Sequence, residues 1–347
     1  MKAAVLTELR KPLEILQVAD PDLTPDGVII KVLASGVCRS DLHIWDGGLD
    51  GIGQSQELPF VMGHEFCGII EEVGKNVTKF KKGDRVVVPL THGCGHCYEC
   101  SSGHPNVCGD RMEIGITCWG GFAEYALIPK ADTTLVHLPE EIGFVEAASL
   151  GCRFPTAYHG IVAQGQVRPG EWVAIFGCGG VGLSAIHTAA SIGAIVIAVD
   201  INDEALKLAK ELGASFTINA RGKDVPSEIK ELSKGGVHVS LDALGSKQTI
   251  QPAIKSLRAR GRHVQIGITA TNFIEVPVDD IMMYELTMIG SAGIPSYQYP
   301  SIIQLIKDGT LNPGKMVTKT IPLEEAGQIL LDMQAQKNVG AVIIDRF

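Results

Sequence analysis

The sequence predicts a two-domain α/β fold, in which a β-rich domain precedes a doubly wound parallel sheet. Three observations predict it. The chain has 347 residues, beyond the size at which one hydrophobic core usually keeps growing. Before about residue 150, short β-rich runs alternate with Gly, Pro and Asp turns and with long cysteine-bearing connections, the pattern of an irregular antiparallel or barrel-like domain. From about residue 170, apolar strands alternate with helical stretches, the rhythm of βαβ units with right-handed crossovers.

In the first domain the clearest strands cover 27–34 and 85–88. In the second, EWVAIFG (171–177) reads as a strand, 181–192 as a helix, AIVIAVD (194–200) as a strand and 204–212 as a helix. Further strands are expected at 216–219, 237–242, 263–268 and 287–289. The last fifty residues or so, ending VGAVIIDRF, return to strand character and are expected to rejoin the first domain. The stretch 172–199 carries no Asp, Glu, Lys or Arg and is long enough to span a bilayer. Its glycines, with Ser184, His187, Thr188 and Ser191, favour a buried strand, turn, helix and strand instead.

A formal charge of -9 argues against a nucleic-acid or anionic-membrane binder, since both need a basic field. The opening MKAAVLTELRKP has no apolar segment of secretory length. Nine cysteines, four of them crowded between Cys94 and Cys108, favour a reducing cytoplasm and thiolate ligands over disulfides.

Gly177-Cys178-Gly179-Gly180-Val181-Gly182 matches G-x-G-x-x-G, directly after an apolar strand and at the opening of a helix. Gly177 can make the tight turn, Gly179 can let a pyrophosphate approach the backbone, and Gly182 can pack the helix closely; free N–H groups at the helix start would face the phosphates. Asp200 ends the next strand, where a carboxylate accepts hydrogen bonds from an adenosine ribose. An aspartate at a strand end is commonly only a turn residue. Strand, turn, helix, strand and acid in register favour a dinucleotide, NAD, over a ligand-free glycine turn.

Cys94, Cys97, Cys100 and Cys108 have the spacing C-x2-C-x2-C-x7-C. Four thiolates close a tetrahedral zinc shell, the mark of a structural site. The first three spacings also occur in ferredoxins, where the fourth cysteine follows after three residues and precedes proline. Here it precedes Gly109. Cys38, His64-Glu65 and Cys152 are scattered, and a single buried cysteine is usually a small hydrophobe.

Taken together, these motifs resemble those of zinc-dependent medium-chain alcohol dehydrogenases, and the resemblance runs along the whole length of the chain. Gly63-His64-Glu65, Gly68, Gly74 and Val77 fit the family's G-H-E-x2-G-x5-G-x2-V pattern, Cys38-Arg39-Ser40-Asp41-Leu42-His43 fits its first ligand segment, and Cys152 precedes Thr156-Ala157-Tyr158. The resemblance implies a GroES-like catalytic domain from residues 1–153 and 297–347, with a structural zinc lobe at about 94–108, and a Rossmann NAD-binding domain from residues 154–296. It implies an active site in the cleft between them. It also implies two zinc ions per chain, one structural and one catalytic, the latter held by Cys38, His64 and Cys152 with Glu65 close by.

Further roles follow from the same resemblance. Asp41 would support His64, Arg39 would face the cofactor pyrophosphate, and Ile266, Gly267 and Ile268 would line the cofactor beside the glycine motif. Ser40 would take the alcohol proton and His43 would pass it to solvent. Two positions depart from the family: Ala205 stands where some relatives carry a lysine near the ribose, and Ala341 where many carry an arginine at the phosphates. Weaker cofactor affinity is the expected consequence.

The expected activity is reversible hydride transfer between an alcohol and NAD, in a cytoplasmic homo-oligomer, dimer or tetramer. The alternatives are a polyol or other specialised alcohol dehydrogenase, a zinc-free quinone or enone reductase on the same fold, and a non-catalytic binding protein. Trp45, Thr91, His92 and Trp119 are candidate pocket walls by position, and each reads equally well as loop packing. The substrate itself is not legible, because one fold serves many pockets.

Overall fold

Apolar runs in the second half of the chain become neighbouring parallel strands because each is followed by a helix that carries the chain back across the sheet. The strands lie in the order Phe216–Asn219, Ile195–Asp200, Trp172–Phe176, Val237–Asp242, Leu257–Gln265 and Thr287–Gly290, the 3-2-1-4-5-6 order of a doubly wound sheet. Trp172–Phe176 is central, with Ala174 opposite Ile197 on one side and Ser240 on the other. Ala174, Phe176, Ile197, Val199 and Ile218 pack with Ile229 and Ala253 into one core. The strand order reverses between Trp172–Phe176 and Val237–Asp242, and in such sheets the carboxyl ends at that point form the ligand crevice.

This computed structural model describes residues 1–48, 56–269 and 273–347. They fall into two compact units, Met1–Pro155 with Gly293–Phe347, and Thr156–Ala292. The apolar stretch at 172–199 is strand Trp172–Phe176, helix Gly180–Ser191 and strand Ile195–Asp200. Ser184 and Ser191 donate to the carbonyls of Gly180 and His187 one turn earlier, so their hydroxyls are satisfied inside the helix. No helix among the described residues is long and apolar enough to cross a membrane.

One strand differs from its expected span of 263–268. It runs Leu257–Gln265 and stops there because the amides of Ile266 and Gly267 both turn to the Asp242 carbonyl, at 3.0 Å each. Its first half carries charge, and Arg258 and Arg262 are placed there by Gly236 O and Glu171.

The other unit is built around strand Val28–Val37. It pairs antiparallel with Glu65–Val73, Tyr125–Ile128 and the last strand, Ala341–Arg346. Ile343 lies opposite Gly36, so the chain does return to its first domain. Val28, Ile30, Val32, Phe66, Ile70 and Val86 form one core of this unit. A second core gathers Val5, Leu42, Ile44, Trp45, Met62 and Phe122 with Ile329 and Leu330 from the C-terminal segment.

Candidate active site

Cys38 leaves strand Val28–Val37 and is the N-cap of helix Arg39–Asp46. Asp41, at the third helical position, is fully buried. Its Oδ2 accepts the Cys38 N–H at 2.8 Å, while Oδ1 accepts the Gly63 N–H at 3.2 Å and lies 2.9 Å from His64 Nδ1. A carboxylate there holds the proton on Nδ1, which leaves Nε2 with a free lone pair. That Nε2 is buried and has no hydrogen-bond partner. Ligand atoms of Cys38, His64, Glu65 and Cys152 all lie within 4.8 Å of one another, and all four residues are buried. A buried acceptor is rarely left unpaired, and an imidazole aimed at two thiols fits a metal ion.

The electrostatics favour a cation at this spot. A hydrogen bond from Cys152 holds the Cys38 thiol well below its ordinary range against the opposing effect of burial, with His64 and Arg153 adding to it. The same bond, with burial, pushes Cys152 up. Burial pulls His64 down, but the Asp41 carboxylate and Cys38 outweigh it and hold the imidazole well above its usual value.

The four-cysteine lobe is local. Cys94 and Cys100 sulfurs are 4.0 Å apart and those of Cys97 and Cys108 3.6 Å apart, and all four lie within 4.8 Å of one another. Four sulfurs at the usual zinc–thiolate length would be spaced by about 3.8 Å. The backbone organises them: Cys97 N–H donates to Cys94 Sγ at 3.4 Å, Cys100 N–H to Cys97 Sγ at 3.5 Å and Cys94 N–H to Cys108 Sγ at 3.4 Å. The His96 N–H leads the effects that hold Cys94 down to about 6.

In the other unit the glycine motif forms the turn between strand Trp172–Phe176 and helix Gly180–Ser191. Gly177 takes φ +91°, where a side chain would be strained, and a Cβ on Gly182 would clash at 1.7 Å from the Gly177 carbonyl oxygen. A Cβ on Gly179 would meet nothing within 4 Å, leaving a cradle in front of the backbone. Gly180 and Val181 open the helix. Asp200 ties this turn to the next strand: Oδ2 accepts the Cys178 N–H at 2.6 Å, and Oδ1 accepts those of Ile201 and Asn202 at 2.7 and 2.9 Å. Ile266 and Gly267 stand beyond the strand end described above, and Ile268 is partly exposed.

Comparison with known proteins gives this geometry a lineage. Residues 24–140 match the alcohol dehydrogenase GroES-like domain and residues 180–308 the zinc-binding dehydrogenase domain. An alcohol dehydrogenase of Geobacillus stearothermophilus is 36% identical over 99% of each chain. An NAD-dependent alcohol dehydrogenase of Sulfurisphaera tokodaii is 33% identical, again over 99% of each. The chain belongs to the zinc-dependent medium-chain dehydrogenase family. The alcohol dehydrogenase from Thermus sp. ATN1 superimposes on it over 100% of both chains, with a TM-score of 0.92 and 29% identity.

Within this family member, helix Arg39–Asp46 carries three of the other sequence-derived candidates. Arg39 is exposed, and Ser40 and His43 are partly buried. Ser40 and His43 are three residues apart and so neighbours on the helix surface. Burial, then Arg39, pulls His43 below its usual value, while Asp46 and Cys38 oppose the shift. Trp45 is 4% exposed, packs in a core and donates Nε1–H to the Lys11 carbonyl at 2.6 Å. Thr91 and His92 are buried, with His92 Nε2 bonded to Pro89 O and its imidazole pushed down to about 4 by burial. Trp119 is 41% exposed.

Arg153 escaped the sequence reading. It is 2% exposed and clamps Glu65, whose carboxyl burial pushes up to about 7 despite the guanidinium. A charged residue directly after Cys152, in the otherwise apolar run SLGCRFPTA, was the available signal.

Proposed function

We propose that this protein is an NAD-dependent zinc alcohol dehydrogenase, an oxidoreductase of CH–OH donors that interconverts an alcohol with an aldehyde or ketone. The observation that carries the reading is the buried, unpartnered His64 Nε2 among the thiols of Cys38 and Cys152. Those three side chains would hold a catalytic zinc with its fourth position free, and the four-cysteine lobe would hold a second, structural zinc. Bound there, the catalytic zinc supplies a Lewis acid for the alcohol or carbonyl oxygen.

The chain's own residues do the rest. Asp41 keeps the His64 proton on Nδ1, so that Nε2 stays a donor to the metal. Ser40 takes the alcohol proton, and His43, held below its ordinary pKa, is unprotonated near neutrality and passes that proton to solvent. The turn at Gly177, Gly179, Gly180, Val181 and Gly182, with Arg39, receives the pyrophosphate; Asp200 receives the adenosine ribose, and Ile266, Gly267 and Ile268 line the remaining cofactor contacts. Ala205 and Ala341 withhold two cations from the cofactor, which lowers its affinity. Residues 1–153 and 297–347 serve catalysis and residues 154–296 the cofactor.

Thiolate ligands fit a reducing cytoplasm. A homo-oligomer, dimer or tetramer, is supported by exposed Val278, Met282, Met283 and Tyr284 beside the sheet-edge strand Thr287–Gly290. The test is a panel of primary, secondary, aromatic and polyol alcohols, and their carbonyls, followed by NADH absorbance with zinc-replete protein. Turnover of one class identifies the substrate. Absence of turnover at full zinc occupancy would replace this reading with that of a binding protein.

A further inference from the structure

The Glu65 carboxylate is fully buried beside the donor atoms of Cys38, His64 and Cys152, near enough that all four ligand atoms lie within 4.8 Å of one another. A buried carboxylate needs a counter-charge. Arg153 provides it: Oε1 accepts the Arg153 backbone N–H at 2.8 Å and Nε–H at 3.0 Å, and Oε2 accepts Nε–H at 2.7 Å and a close Nη2–H. Nη2 also donates to the Val37 carbonyl at 2.8 Å. One side chain thus ties together the three segments that carry Cys38, His64 and Cys152. The cage is tight, since a Cβ on Gly36 would lie 2.5 Å from Glu65 Oε2 and 3.1 Å from Arg153 Nη2.

Remove the guanidinium, and Glu65 loses its ion-pair partner, so that a bound metal would be its counter-charge. A carboxylate is a competent zinc ligand, and a fourth protein ligand would close the shell as in a structural site. We propose that Arg153 is a positioning residue that holds the Glu65 carboxylate off the metal and so keeps the fourth coordination position open for substrate. The proposal rests on the reading of Cys38, His64 and Cys152 as ligands.

The experiment uses full-length protein with cobalt replacing zinc, as wild type, Arg153→Ala, Glu65→Gln and the double variant. Metal content, turnover and the visible cobalt spectrum are measured while imidazole is titrated as a probe of the open position. Wild type should bind imidazole with a saturable spectral change. Arg153→Ala should keep its metal, bind imidazole at least about tenfold more weakly and lose about tenfold to a hundredfold in turnover. Adding Glu65→Gln should restore imidazole binding and recover most of the lost turnover, because the carboxylate that closed the site is gone. A merely structural arginine would give a double variant no better than Arg153→Ala, and that result, or unchanged imidazole affinity in Arg153→Ala, overturns the proposal. If Arg153→Ala does not accumulate folded, Arg153→Lys, which reaches fewer carboxylate oxygens, replaces it under the same two criteria. Wild-type protein with no metal at this cluster, or metal there that survives Cys38→Ser, overturns the ligand reading instead.

Discussion

Cys94, Cys97, Cys100 and Cys108 come from one stretch of chain and are held by that stretch's own amides, whereas Cys38, His64 and Cys152 come from three segments that meet only because a sheet packs. The lobe offers four sulfurs, three of them part-exposed. The second cluster offers two sulfurs and one imidazole, all buried, and is braced by Asp41 and Arg153. A closed shell at the lobe would cross-link one loop and so contribute to folding, whereas at the dispersed cluster the surrounding fold supplies the positioning and the metal is free to serve chemistry.

The sharpest way to break this contrast is to remove one sulfur from each site. Cys38→Ser should lose several kcal/mol of transition-state stabilisation, about three orders of magnitude in kcat/KM, with a small change in melting temperature. Cys100→Ser should lose one zinc and a few kcal/mol of stability, about 5–15 °C in Tm for a unit of this size. Metal analysis, calorimetry and turnover on the same preparations check both. Iron in place of zinc, one metal in fully active protein, or equal stability losses in the two variants would erase the distinction.

The same difference decides what could be read in the sequence. The lobe was legible because its ligands are close in the chain, and the glycine motif because Gly177 and Gly182 meet in one turn. Strand and helix boundaries in the parallel sheet were legible for a related reason: strands buried on both faces stay apolar along their length. Cys38, His64 and Cys152 were joined only through family resemblance, since no local pattern says that three distant segments converge. Arg153 and the first half of strand Leu257–Gln265 were missed because charged side chains normally mark solvent. Here Arg153 is paired with Glu65 and Arg262 with Glu171 at 2.6 Å, so their charges are satisfied inside the fold.

The glycine turn is the other locally built site, and Asp200 tests whether its legibility extends to cofactor choice. The Asp200 carboxylate accepts three backbone N–H groups, yet a carboxylate has about four acceptor sites and can take a ribose hydroxyl as well. Its charge, with Asp203 and Glu204 close in sequence, would repel a 2′-phosphate. Losing one charge-assisted contact and that repulsion should shift the NAD/NADP preference by about 2 to 4 kcal/mol, roughly thirtyfold to a thousandfold. The comparison is kcat/KM for both cofactors in wild type and Asp200→Gly. Equal use of the two by wild type, or a ratio that moves less than about threefold, removes Asp200 from the ribose.

The smallest effect is expected at the outer end of the dispersed site, where His43 touches solvent. Burial and Arg39 lower its pKa, against Asp46 and Cys38, so the neutral imidazole persists to lower pH than in a free histidine. Above that lowered pKa it can accept a proton; as pH falls through it, the imidazole becomes charged and the capacity is lost. Wild-type alcohol oxidation should therefore hold its rate to below the ordinary histidine range and then fall. His43→Gln removes the acceptor. Because solvent can partly substitute at the end of a relay, turnover should drop by about tenfold to a hundredfold without vanishing. With only bulk acceptors left, the rate should also depend more steeply on pH below neutrality. Steady-state rates between about pH 5 and pH 9 in both proteins decide the matter. A mutant profile parallel to wild type would mean that the proton leaves by another path and that His43 is a solvated surface residue.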